Sequence, residues 1–180
     1  MKTVVGLFDD YTQARNAAVE VERAGVPSSD ISVLANNGDN GEHVRRDIVD
    51  THSSMGHAVT KDAGVGAEIG GVLGALAGAS LFVIPGLGWI AGAGWLAGMF
   101  AGAGVGAIAG GLVGVLTHVG VPHADAVYYE EGVRRGGTLI AVRAEDSAAN
   151  GIARILNNAG AVNIEERAAS YRSEGFVAPL

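Results

Sequence analysis

Residues 3–8 (TVVGLF) form a β-rich run that stops at Asp9-Asp10, where the hydrophobic period changes. Ala14, Ala17, Ala18, Val21 and Ala24 then recur at helical spacing, which predicts a helix. Asp9 or Asp10 is placed to cap it and Gly25 to end it in a left-handed turn, with Pro27 after the stop. Residues 30–35 (DISVLA) put Ile31, Val33 and Ala35 on one face of a strand. Residues 1–36 therefore read as a β-α-β unit.

The far end repeats the pattern. Residues 138–144 (TLIAVRA) predict a strand with Ile140 and Val142 inward and Arg143 outward. Asp146 or Ser147 can cap a helix striped by Ala148, Ile152, Ile155, Leu156 and Ala159, and Gly160 ends it. Residues 161–167 (AVNIEER) alternate and predict a closing strand with Val162 and Ile164 inward. A further helix is predicted over about 123–135. Two such units suggest an α+β fold, a ferredoxin-like split βαβ domain built from residues 1–36 and 120–170, with a tail at 171–180.

The interruption has its own period. After a polar linker at 37–62, Gly66, Gly70, Gly74 and Gly78 fall four residues apart. Beyond the turn signal Pro85-Gly86-Leu87-Gly88, the spacing resumes at Gly94, Gly98, Gly102, Gly106, Gly110 and Gly114. Residues four apart share a helix face, so each row predicts a stripe that another backbone can approach closely. Residues 63–119 thus read as a glycine-zipper helical hairpin. Ten helical glycines cost on the order of 10 kcal/mol relative to Ala, so close packing or exclusion from water must offset them.

Charge sharpens the division. No Asp, Glu, Lys or Arg lies between Glu68 and Asp125, and all 31 charged residues fall outside that 56-residue run. Gly (29) and Ala (30) make up a third of the 180 residues without a collagen period. The net charge of −7 argues against nucleic acid as a partner, and the absence of Cys removes disulfides and thiolate chemistry.

Bulky apolar residues gather toward the hairpin tip: Phe82, Ile84, Leu87, Trp89, Trp95 and Phe100 stand out among them. Segment 69–84 reaches about 24 Å as a helix, short of a ~30 Å hydrocarbon core, whereas 87–117 is long enough to cross. Three arrangements follow. The hairpin spans a bilayer, dips its tip into one leaflet with tryptophans at the interface, or packs tip to tip inside a soluble oligomer. The composition favours the lipid bilayer as a partner, and homo-oligomerisation holds in every case. The opening ten residues do not read as a signal peptide. Lys61, Arg134 and Arg135 flank the insert, so the polar domain is expected in the cytoplasm at the inner membrane, or the whole chain in the cytoplasm.

The run VVGLFDDYTQARNAAVEVERAGVPSSDISVLA resembles the N-terminal module of bacterial general stress proteins, also called heat-induced stress proteins. The features that carry the likeness are Phe8-Asp9, the helix to Ala24, Gly25, and Asp30-Ile31-Ser32-Val33. The later run VPHADAVYYEEGVRRGGTLIAVRA resembles longer members with a glycine-zipper middle. The resemblance implies a stress-associated bacterial protein without a defined active site.

Candidate chemistry is sparse. His43, His52, His57, His118 and His123 match no metal-ligand spacing and read as solvated. His123 and Asp125 fit helix capping and dipole chemistry. Glu130 and Glu131 point about 100° apart on a helix and read as a solvated face, with Glu131 near Arg134 or Arg135. Tyr128 and Tyr129 are expected to pack between helix and sheet. No phosphate-loop, GxSxG or HExxH motif is present. The expectation is a non-enzymatic structural protein without cofactor or metal that assembles through the zipper glycines. The alternatives are a small-molecule or metal sensor anchored by the hairpin, and a soluble homo-oligomeric particle with buried hairpins.

Overall fold

Asp10 closes the first strand and opens the first helix, its carboxylate accepting the Gln13 N–H at 3.0 Å. The computed structural model describes residues 1–36, 80–84, 87–102 and 111–178. Their strands are β1 (Lys2–Phe8), β2 (Ile31–Asn36), β3 (Ser80–Ile84), β4 (Gly88–Ala93) and β5 (Thr138–Ala144). Their helices are α1 (Tyr11–Arg23), α2 (Trp95–Gly102), α3 (Gly111–His118), α4 (His123–Arg134), α5 (Asp146–Asn158) and α6 (Ile164–Ser173). The fold class is α+β.

One antiparallel sheet runs in the order β1-β5-β2-β4-β3. β1 and β2 both pair with β5, from opposite sides, so the two strands joined by α1 run parallel with β5 between them. Strand alternation sends side chains to two cores. Phe8, Ile31, Val33, Ile140 and Val142 meet the alanine stripe of α1 together with Ile152 and Leu156 of α5. Leu7, Leu34, Leu139 and Ala141 meet Leu96 of α2, Leu112 and Leu116 of α3, and Val133 of α4. Each such fully buried aliphatic or aromatic side chain contributes about 1.5–3 kcal/mol.

Several expectations hold in detail. Gly25 and Gly160 take φ of +97° and +99° just past α1 and α5. The strands at 2–8, 31–36 and 138–144 and the helix at 123–134 lie where the pattern puts them.

The apolar insert is where the reading needs correction. Residues 80–84 and 88–93 are a β-hairpin rather than the meeting ends of two helices. The runs SLFVI and GWIAGA mix β-branched and aromatic residues with glycines that are poor in helices. Register matters as much: Val33–Asn36 of β2 would otherwise lack a partner on one edge, and Ile90–Ala93 supply it. The second helix of the expected hairpin therefore begins only at Trp95; its described parts are α2 and α3, and residues 103–110 lie outside the described residues. Gly94 is not on a helical stripe. It turns the corner from β4 to α2 at φ +91°, and a Cβ there would stand 2.2 Å from the Ile31 carbonyl oxygen.

The second correction lies near the C-terminus, where 161–167 is not a strand. Val162 donates one backbone hydrogen bond to the Leu7 carbonyl (2.8 Å), and α6 then begins. The Asn163 side chain accepts the N–H groups of Glu165 and Glu166, at 2.9 and 3.3 Å, and both acids sit in the first turn where the helix dipole favours them. Capping chemistry thus overrides the two-residue alternation. Two predicted caps are also absent: α5 is preceded by Glu145 and α4 by Pro122, neither with a side-chain cap bond.

Candidate functional site

Glu131 and the arginines after it define the most developed polar site among the described residues. Helix α4 turns its apolar face toward Leu7, with Gly132 so close to that side chain that a Cβ would stand 2.3 Å from Leu7 Cδ2. This approach buries the neighbouring Glu131, whose side chain is 2% exposed. Its carboxylate is satisfied on both oxygens. Arg134 Nε donates to Oε2 at 2.7 Å and Arg135 Nε donates to Oε1 at 2.6 Å. The expected pairing is present, but the acid is interior rather than on a solvated face.

Arg135 also pairs with Glu174, at the C-terminal end of α6. Its guanidinium lies 4.2 Å from the centre of the buried Tyr171 ring, a cation–π contact. Arg167 donates to Asp9 Oδ2 at 2.6 Å, linking α6 to the end of β1. Asn36, at the end of β2, donates its side-chain N–H to the Arg134 carbonyl oxygen at 3.2 Å. These groups surround a cleft of about 680 Å³ that Ser170, Gly136 and Gly137 complete.

The electrostatics follow from these contacts. Hydrogen bonds from Arg135 hold the Glu174 carboxyl below the usual carboxylate range. Bonds to Glu131 and Glu174 raise the Arg135 guanidinium, and Asp9 raises Arg167. Burial pushes the Tyr171 phenol up, against the opposing pull of Arg167. The cleft is therefore lined by paired side chains of both signs, an arrangement suited to a polar ligand.

The other candidates are scattered. Gly66, Gly70, Gly74, Gly78, Gly106 and Gly110 lie outside the described residues, as do His43, His52 and His57. Gly98 and Gly102 belong to α2 and Gly114 to α3. Phe82 and Ile84 are in β3, Trp89 in β4 and Phe100 in α2, while Leu87 is buried at the hairpin turn. Trp95 opens α2 with its indole N–H on the Asp30 carbonyl oxygen at 3.0 Å. His118 and His123 are exposed, and the described residues contain no group of three potential metal ligands.

Glu130 accepts the Val113 N–H at 2.9 Å, closing the first turn of α3. Tyr129 packs into the sheet-side core, where burial and then Asp125 push its phenol up to about 12. Tyr128 instead meets Phe176 of the tail edge-on at 6.0 Å.

Sequence reasoning missed the cleft. Its one visible signal is Arg134-Arg135-Gly136-Gly137 after an acid pair; the remaining walls come from Asp9, Asn36 and α6, a helix where the pattern predicts a strand at 161–167 followed by a tail from 171. No known protein family, curated protein or solved structure matches the chain.

Proposed function

We propose that this chain is a non-enzymatic, self-associating structural protein whose uncharged segment is the associating part. The observation that carries the reading is β3. Among the described strands it is the outermost of the sheet, and it lies in a run without one charged residue. Natural edge strands are commonly blunted with lysine, inward charge or proline inside the strand; SLFVI has none of these. A second copy of the same uncharged hairpin is the partner with matching chemistry, and the glycine rows on either side favour close backbone contact.

The polar halves are inferred to be an abbreviated ferredoxin-like domain. β1, β5 and β2 have its split order, and α1 and α5 share one face. Residues 161–163 replace its last strand with a single bond to Leu7. This acidic domain keeps the assembly dispersed on its exposed side. Among the described residues no helix is long and apolar enough to cross a membrane. Association with lipid, and the bacterial stress role that the resemblance implies, belong to the proposal in the form of shallow contact by the uncharged segment.

Sedimentation velocity of the detergent-free chain, with Gly74→Leu and Gly106→Leu variants, tests assembly. An oligomer that either variant breaks, with the circular dichroism of the polar domain retained, supports the reading. A wild-type monomer, or an oligomer indifferent to both variants, overturns it. Flotation with anionic liposomes decides the lipid component separately.

A further inference from the structure

The arginine cleft is not used by self-association, and its construction points to a ligand. Burying a carboxylate is costly unless it is paired and hydrogen-bonded. Here that carboxylate, Glu131, grips the Nε edges of two successive arginines. Gripping one edge of each guanidinium fixes its position at the cleft rim. It also leaves two cations against one buried anion. Arg134 meets Glu131 through Nε and Nη2, and its side chain is still 52% exposed.

The excess positive charge is answered by Glu174. Its carboxylate reaches Arg135 from the end of α6, is 50% exposed, and also accepts from the Ser170 hydroxyl at 3.0 Å. An exposed ion pair of this kind contributes little to stability and is readily exchanged. Its partner is prepared otherwise. The Arg135 guanidinium carbon sits 4.2 Å from the centre of the Tyr171 ring and its Nε is held by Glu131, so a bidentate carboxylate finds little disorder to remove. The cleft volume of about 680 Å³ suits a small metabolite. Asn36 and Ser170 add neutral polar groups to its wall.

We propose that this cleft binds a small carboxylate-bearing molecule on Arg135 and Arg134, and that Glu174 is the intramolecular competitor holding the site when it is empty. The ligand class follows from the occupants already there: Glu131, Glu174 and Asp9 are each carried by a cleft arginine through a carboxylate oxygen. A purely structural lattice, which only ties α6 to α4, predicts the opposite response to removing Glu174. It would lose stability and gain no ligand.

The test is calorimetric titration of the full chain with citrate at fixed ionic strength, with inorganic phosphate as a second arm. The protein's charge of −7 works against nonspecific uptake of either anion. If Glu174 occupies Arg135 nine-tenths of the time, Glu174→Gln tightens citrate binding about tenfold. Arg135→Gln abolishes binding, and the half-exposed Arg134→Gln weakens it, which keeps the test usable if the Arg135 variant misfolds. The proposal is overturned if Glu174→Gln leaves citrate affinity unchanged or shows no binding at about 10 mM. It is equally overturned if binding survives in both arginine variants. Tighter binding of phosphate than citrate, with the same variant dependence, overturns the carboxylate assignment. None of these outcomes depends on whether the chain self-associates.

Discussion

The indole N–H of Trp95 donates to the Asp30 carbonyl oxygen at 3.0 Å, joining the first residue of α2 to the residue that precedes β2. The Asp30 carboxylate accepts from Arg143 Nε at 2.9 Å, and that guanidinium lies 4.9 Å from the centre of the same indole. One half-buried corner of the polar domain therefore clasps the uncharged insert through a hydrogen bond and a cation–π contact. The insert is docked as part of the fold at this point, whatever the rest of it contacts.

Trp95→Phe keeps an aromatic face for Arg143 and loses the N–H bond, so it should cost about 1 kcal/mol. Trp95→Ala removes the packing as well and should cost about 3 kcal/mol. Urea unfolding measures both. A Phe variant as stable as wild type would show that the bond to Asp30 carries no net energy.

Gly94 and Gly25 separate backbone strain from collision. Both have positive φ, but a Cβ at Gly25 meets nothing within 4 Å, whereas at Gly94 it meets the Ile31 carbonyl and the Ser32 Cα. Gly25→Ala should cost about 1 kcal/mol from strain alone. Gly94→Ala should cost at least about 3 kcal/mol, because backbone on both sides must move. Thermal unfolding of the two variants side by side checks the difference, and equal shifts would contradict the corner geometry.

Glu131→Gln keeps shape and one acceptor but removes the charge shared by Arg134 and Arg135. The arginines are partly exposed and can be resolvated, so the loss should be about 2 kcal/mol, below that of a fully buried pair. Glu130→Gln retains an acceptor for Val113 and should cost less than about 1 kcal/mol. Chemical denaturation that ranks the two in the reverse order would sink the buried-anchor reading.

Tyr129 sets an alkaline limit. Its phenol titrates near 12 in the folded chain against an ordinary 10.0. The folded state therefore keeps a proton that the unfolded state has released, and stability falls as pH rises between those values. The associated loss is on the order of 2–3 kcal/mol. It is absent below pH 10, where both states are protonated. Unfolding free energies across pH 9–12 should decline more steeply in wild type than in Tyr129→Phe; parallel profiles would refute the assignment.

Thr138 offers a gain. It is fully buried between Phe8 and Ala35 of the neighbouring strands, and its hydroxyl has no hydrogen-bond partner among the described residues. Thr138→Val removes an unsatisfied polar atom at constant shape and should be neutral or stabilising by about 1 kcal/mol. A raised or unchanged midpoint in urea is expected; a destabilisation of similar size would mean the hydroxyl is satisfied.

The first strand and helix were legible because their determinants are near neighbours. Asp10 reaches Gln13, and Gly25 answers the end of α1 within one turn. The same holds for β5, α5 and Gly160. At 161–167 two local signals compete: alternation over seven residues favours a strand, but Asn163 with two acids behind it is a helix start, and the helix forms.

Local propensity and periodicity thus determined the polar elements, the division at the uncharged run, and the alternation that feeds two cores. Tertiary structure decided what local chemistry leaves balanced. Glycine-rich runs are poor helices and poor strands alike, so residues 80–84 and 88–93 became strands where the edge of β2 had backbone groups to satisfy. The cleft depends on contacts over longer distances still: Asn36 with Arg134 across 98 residues and Asp9 with Arg167 across 158. Such pairs leave no period in a sequence, because they exist only after the sheet has brought its strand ends together with α4 and α6.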